Sequence, residues 1–144
     1  MAAHNLFKIF IMKNRFDEYK EYVGDSINDV PIKNELEGLM GLTGGLVTES
    51  SEVFDIVRKK IYFGKDIDRL DLIMEMGDLL FFFIGTAKLL DIDVELISDI
   101  NRRKLELRYP MGRNVKYGVI NKEKEKETIL KEFGHEYNFK KGIK

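Results

Sequence analysis

The stretch from Leu72 to Ile84 restricts the possible folds of this chain more than any other segment. It is apolar on every side of a helix, apart from the two acids Glu75 and Asp78. A helix that is apolar all round is normally buried, and residues three apart project from the same helix face. Carboxylates inside a core cost on the order of several kcal/mol each if they are left unpaired. The pattern therefore predicts a buried helix whose acids are compensated by basic partners, by protonation or by a metal ion.

A second pair of acids, Glu49 and Glu52, has the same spacing and lies in the otherwise uncharged stretch 41–54. If the helices that carry the two pairs pack antiparallel, four carboxylates converge at mid-height. Oxygen ligands without His or Cys favour Mg²⁺ or Mn²⁺, and Mg²⁺ is often completed by substrate phosphates. One such pair usually marks a solvated helix face, so it is the joint occurrence in apolar surroundings that favours a metal site. A di-iron carboxylate bundle would need Glu-x-x-His pairs, which are missing.

The composition excludes several other kinds of site. The chain has no Cys, which excludes disulfides, cysteine–zinc sites, iron–sulfur clusters and thiol nucleophiles. Its only histidines, His4 and His135, lie near the two ends and argue against a His-based triad. A net charge of −1 argues against nucleic acid as the main partner. No stretch offers the ~20 apolar residues of a membrane span, and we expect a cytoplasmic protein.

The two prolines, Pro31 and Pro110, enclose a central block of helices. Gly64 is the predicted C-cap of the first of these helices, and Asp93 is the predicted N-cap of the third. Helices are expected over 14–23, 32–61, 68–90, 94–108 and 123–133. No strand alternation is strong enough to indicate a sheet, so we predict an all-α single domain over 1–144, with a helical core over 32–110. The degree of order of the extension over 113–144 is left open.

Three weaker patterns concern charge and small residues. One helix carries a stripe of polar and basic residues, Asn101, Lys104 and Arg108. On spacing alone, this stripe indicates an anion-binding face and a solvated surface about equally. Lys60 could reach phosphates, although a basic residue near a helix C-terminus also interacts favourably with the helix dipole. The alternating Lys and Glu of residues 122–127 indicate a solvated face. The glycines of 41–45 lack the Lys-Ser/Thr of a P-loop, so close helix approach explains them better.

The acids and their surroundings resemble the MazG-like all-α nucleoside triphosphate pyrophosphohydrolases. The signature of that family is Glu-Glu-x-x-Glu, a spacer, and Glu-x-x-Asp, and both acid pairs of this chain match it. The segments 59–65 (KKIYFGK) and 101–110 (NRRKLELRYP) are also similar to family segments. The resemblance covers about residues 36–112. It departs at Thr48, where the family often has its first Glu, and at Ser51, where many members have Gly.

The resemblance implies a helical bundle with an antiparallel metal-binding helix pair, in which the helical core over 32–110 is catalytic. It implies Mg²⁺-dependent hydrolysis of an NTP or dNTP to the monophosphate and pyrophosphate by a homodimer or homotetramer. Mg²⁺, or Mn²⁺ in its place, would be held by Glu49, Glu52, Glu75 and Asp78. A carboxylate of the Glu49/Glu52 pair would orient or deprotonate the attacking water. The implied triphosphate ligands are Asn101, Lys104, Lys60 and Arg108.

Two alternative functions remain open at this point. One is hydrolysis of another pyrophosphate-linked nucleotide, such as phosphoribosyl-ATP, because the metal chemistry would be the same. The other is a non-catalytic nucleotide-binding helical module that retains the metal site, which the departure at Thr48 allows. Substrate profiling separates the first alternative from the leading hypothesis, and nucleotide binding without turnover would identify the second.

Overall fold

A computed structural model describes the backbone of residues 2–109 and 121–139, and the side chains of 15–109 and 121–139. These residues form five helices and, within those ranges, no strand, which confirms the all-α prediction. The helices fall into two compact units, α1–α3 and α4–α5. The single domain and the 32–110 core remain predictions, and Pro110 lies outside the described residues. The helices are α1 (Ala2–Asn28), α2 (Glu35–Phe63), α3 (Arg69–Leu89), α4 (Val94–Arg108) and α5 (Lys122–Phe133).

Capping residues determine where the helices begin and end. Helix α2 begins later than expected because the side chain of Asn34 accepts a hydrogen bond from the backbone N–H of Glu37 at 2.9 Å. It ends at Gly64, which adopts a left-handed φ of 65° and donates its N–H to the carbonyl of Lys60, as a C-cap does. Asp93 caps α4, so both predicted caps are confirmed.

Helix α1 is longer than the predicted range 14–23. It continues to Asn28 because Val23 and Ile27, one turn apart, both bury their side chains. The Cδ1 atom of Ile27 lies only 2.7 Å from where a Cβ on Gly85 of α3 would be. The burial of each such side chain stabilises the fold by about 1.5–3 kcal/mol, so tertiary contacts extend this helix past Gly24.

Helices α2 and α3 are antiparallel, as predicted. Near the start of α2, Gly38 lies against Leu89 at the end of α3. Further along α2, Gly45 lies against Phe82, which is earlier in α3. The same register brings the acid pairs of the two helices toward each other.

The interpretation of the 41–45 glycines as residues for close helix approach holds at one position. A Cβ on Gly45 would collide with the ring of Phe82, so glycine is needed there. Nothing lies within 4 Å of a Cβ built on Gly41 or Gly44, so the same explanation is wrong for these two.

The prediction that α3 is buried all round is wrong for the single chain. Its Ile84 and Ala87 are in the core with Leu42 of α2, but Ile73 and Met74 are more than half exposed. The described helices that pack against α3 are α1 and α2, and they leave part of its apolar surface uncovered. The acids therefore lie beside a solvent-exposed apolar surface and not inside a buried apolar core. No described helix is long and apolar enough to cross a bilayer.

The second unit is a pair of helices joined by two bidentate ion pairs. Arg103 of α4 donates to both carboxylate oxygens of Glu132 on α5, at 2.7 and 2.8 Å. Arg108 makes the same arrangement with Glu125, at 2.6 and 2.7 Å. The 122–127 run is exposed as predicted except at Glu125, whose side chain is only 13% exposed.

Candidate active site

Three of the four predicted metal ligands converge. Antiparallel packing brings Glu49 and Glu52 of α2 toward Glu75 of α3, so that one carboxylate oxygen from each lies within 4.8 Å of the others. Glu49 and Glu75 are half-buried, and Glu52 is exposed. Oxygens with that separation can share an ion at metal–oxygen distances of about 2.0–2.6 Å. The donor set therefore fits a hard divalent cation.

Asp78 lies beside this group of three rather than within it. It is on α3, three residues after Glu75, and its side chain is exposed. Its charge nevertheless acts on both Glu49 and Glu75. Its role as a fourth ligand stays a prediction.

The electrostatics of the cluster are those of like charges held together. Partial burial raises the pKa of Glu49, and the charges of Glu52 and Asp78 raise it further. The pKa of Glu75 is raised by partial burial and then by Glu52, Asp78 and Glu49. No described Lys or Arg forms an ion pair with any of these acids. Of the three ways to compensate the acids, basic partners are thus absent among the described side chains, which leaves protonation or a cation.

Helix α1 contributes a residue that sequence reasoning missed. Tyr19 stacks on Tyr22 with ring centroids 6.4 Å apart. The pKa of Tyr19 is raised by partial burial and then by the charges of Asp78 and Tyr22, so this phenol lies within electrostatic range of Asp78. No local signal in the sequence connected Tyr19 to acids on another helix.

A cavity of about 660 Å³ adjoins two of the acids, Glu52 and Glu75. Phe54 and Ile56 give it apolar surface, and Lys59 brings a cation, held by Asp55 at 2.6 Å. The volume is in the range of small-molecule sites. The lining residues are Ser51, Glu52, Phe54, Asp55, Ile56, Lys59, Asp71 and Glu75.

The residues predicted to bind phosphate have different surroundings. The Nζ atom of Lys60 on α2 pairs with Asp66 at 2.6 Å, and both side chains are well exposed. The other three lie on α4, in the second unit. Asn101 is exposed, Lys104 is half-buried, and Arg108 is engaged by an acid of α5.

Comparison with known proteins agrees with this arrangement. The MazG nucleotide pyrophosphohydrolase domain matches residues 39–112, slightly more than half of the chain. The chain is also 34% identical over 84 residues to the Gene 37 protein of Mycobacterium phage L5, which covers 55% of this chain and 73% of the phage protein. No solved structure gives a significant match. The matched domain includes both acid-bearing helix segments, and the chain therefore belongs to the MazG nucleotide pyrophosphohydrolase family.

Proposed function

We propose that this chain is a Mg²⁺-dependent enzyme that hydrolyses a nucleoside triphosphate, NTP or dNTP, to the monophosphate and pyrophosphate. The observation that carries the proposal is the convergence of Glu49, Glu52 and Glu75, without a described basic partner, on the two helices that the family domain matches. A set of carboxylate oxygens alone favours Mg²⁺, with Mn²⁺ as an alternative.

The carboxylates have two roles in the proposed mechanism. Glu49, Glu52 and Glu75, with Asp78, would hold the ion, which supplies positive charge to the phosphate oxygens and acidity to water. Glu49 or Glu52 accepts a proton from the attacking water, whose oxygen bonds to the α-phosphorus. The bond from that phosphorus to the oxygen bridging to the β-phosphate then breaks, and pyrophosphate leaves.

Lys60 on α2 is proposed to bind phosphate, and the same role is proposed separately for Asn101, Lys104 and Arg108 on α4. This assignment is supported by the resemblance of 59–65 and 101–110 to family segments. Lys60 is available for exchange, because its pair with Asp66 is exposed and such pairs contribute only about 0–1 kcal/mol. The cavity beside Glu52 would take a part of the nucleotide.

The protein is also proposed to be a homo-oligomer. The outer face of α2 carries a seam of exposed residues at alternating spacings of four and three, as in a heptad repeat. Exposure reaches 77% at Met40, 72% at Val47 and 71% at Ile61. A second copy of the chain would cover this face. The exposed apolar positions of the seam are Leu36, Met40, Val47, Phe54, Val57 and Ile61.

The proposed activity is tested by pyrophosphate release from a panel of NTPs, dNTPs and modified nucleotides, with Mg²⁺, with Mn²⁺ and with EDTA. We expect turnover that requires the metal and is lost in Glu49→Gln and Asp78→Asn without unfolding. Activity unchanged in both variants would reject the site. Phosphoribosyl-ATP is included in the panel for the alternative hydrolase reaction. Nucleotide binding by calorimetry without turnover over hours would instead support a non-catalytic module.

A further inference from the structure

The carboxylate of Glu125 on α5 binds the guanidinium of Arg108 in the same bidentate geometry that a phosphate would use. Nε and Nη2 of Arg108 donate to the two carboxylate oxygens of Glu125 at 2.6 and 2.7 Å. A guanidinium uses the same fork of parallel donors to bind a carboxylate or a phosphate. The exposed fractions of the side chains are only 26% for Arg108 and 13% for Glu125, so water competes weakly for this pair.

The surroundings of this pair have an excess of positive charge. The pKa of Glu125 lies below its ordinary value, because Arg108 donates hydrogen bonds to it and because Lys104 and Lys122 add positive charge. One carboxylate thus faces three cations. Removing its charge would leave an uncompensated basic site.

The other bidentate pair of the same two helices is balanced. Arg103 holds Glu132 at 2.7 Å and also lies 3.6 Å from Glu106. The charge of Lys131 acts on Glu132 as well. Two cations therefore face two acids, and this pair has the charge balance of a structural link between helices. The comparison shows that the excess charge around Glu125 is not a general property of the α4–α5 contact.

We propose that Glu125 is an affinity-determining residue, whose carboxylate fills an anion site of Lys104 and Arg108 that the substrate phosphate must take over. This inference rests on the proposed function, in which those two residues bind the triphosphate. Helix α5 lies beyond the matched domain, which ends at residue 112, so this competitor is a feature of the extension.

An internal competitor weakens binding, because the intrinsic affinity is multiplied by the fraction of time that the site is free. A purely positioning role, in which Glu125 holds Arg108 ready for substrate, has the opposite consequence, because loss of the carboxylate would then weaken binding. The direction of the change in affinity therefore separates the two roles.

The test compares Glu125→Gln with the matched control Glu132→Gln in the full-length chain. Inorganic tripolyphosphate is titrated into each by calorimetry, in EDTA and in Mg²⁺, and KM is measured for the best nucleotide. We expect Glu125→Gln to bind tripolyphosphate about three- to tenfold more tightly and to lower KM rather than change kcat. Glu132→Gln should match the wild type. Unchanged or weaker binding in Glu125→Gln, or an equal gain in Glu132→Gln, would overturn the proposal.

Two further measurements keep the test decisive. Thermal unfolding establishes whether the variants are folded. If Glu125→Gln is not folded, Glu125→Asp replaces it, because the aspartate keeps the charge on a shorter side chain. Glu125→Asp should then show a smaller gain in tripolyphosphate affinity, of the same sign. The tripolyphosphate titration needs no turnover. A wild type that hydrolyses nothing would therefore contradict the proposed function alone, whereas an active wild type with no gain in Glu125→Gln would contradict this inference alone.

Discussion

Glu75 is both a proposed metal ligand and a source of electrostatic repulsion in the folded protein. It lies with Glu49 and Glu52 in the group of converging oxygens, and its pKa is raised by its partial burial and by three neighbouring acids. A metal ion would turn this repulsion into ligation, because the same charges attract a divalent cation. The metal-free protein keeps the repulsion, as active sites commonly trade stability for function.

Glu75→Gln is therefore expected to lower activity without lowering stability. The loss of one charged ligand should reduce kcat/KM by about 100-fold or more, on the scale of losing a charge-stabilising group. In EDTA the melting temperature should stay the same or rise, because a like charge has been removed. Pyrophosphate release and thermal unfolding measure the two effects. The exposed Glu18→Gln on α1 is the control, and a Glu75→Gln enzyme with wild-type activity would contradict the assignment.

Thr48 replaces the acid that often opens the family signature, and its hydroxyl is already used locally. It donates to the carbonyl of Gly44 in its own helix at 3.1 Å. We expect Thr48→Ala to change kcat/KM by less than about twofold, since no bond to the acids is lost. Ser50→Ala is the matched control, because Ser50 donates to the carbonyl of Leu46 in the same way. A much larger loss in Thr48→Ala than in Ser50→Ala would show that Thr48 acts in the reaction.

Among the helices, the sequence predicted correctly those features that depend only on neighbouring residues, such as the helix caps. Gly64 and Asp93 were identified as caps because each satisfies backbone groups within a few residues. The extent of α1 and the exposure of α3 were mispredicted because both depend on which helices pack together. Glu125 was assigned to a solvated run because nothing within α5 indicates Arg108 on α4. The convergence of the acids was predictable because it needs only helical spacing and an antiparallel neighbour.

The close contact between α2 and α3 depends on Gly45. In Gly45→Ala the new Cβ would collide with the ring of Phe82, which must move or push the helices apart. We expect a loss of about 1–3 kcal/mol in the free energy of unfolding. Gly41→Ala is the matched control on the same helix, where the Cβ meets nothing within 4 Å. It should gain about 0.5–1 kcal/mol from helix propensity. Urea unfolding measures both, and equal shifts would show that Phe82 does not limit the approach.

The ion pairs between α4 and α5 make this unit sensitive to acid. Hydrogen bonds from Arg103 lower the pKa of Glu132, and those from Arg108 lower the pKa of Glu125. A lowered folded-state pKa means that the stabilisation is present above the ordinary glutamate pKa and is lost as pH falls through the lowered value. Circular dichroism between pH 6 and 2 should show this loss, and Glu132→Gln should lose less stability over that interval than the wild type. An equal loss in both would show that the pair contributes nothing.

At the scale of the whole molecule, the apolar surface of the α1–α3 unit exceeds what that unit can bury. The seam along α2 runs from Leu36 to Ile61, and α3 adds exposed Ile73 and Met74. Exposed apolar side chains repeated along one helix in this way are more typical of an interaction surface than of scattered surface residues. The heptad spacing is the basis of the proposal that another helix covers this seam, and a second copy of α2 would meet that requirement by symmetry.

A charge at the centre of the seam should therefore dissociate the proposed oligomer. Val47→Lys would bury an unpaired ammonium if the copies stayed together, and such burial costs on the order of several kcal/mol. Sedimentation velocity should show the wild type as a dimer or tetramer and Val47→Lys shifted toward the monomer at the same concentration. Tyr62→Lys is the matched control, because Tyr62 is equally exposed at 73% but lies outside the heptad positions. A monomeric wild type would contradict the proposal. An oligomeric wild type whose sedimentation is unchanged by Val47→Lys would contradict it as well, because the seam would then not be the contact surface.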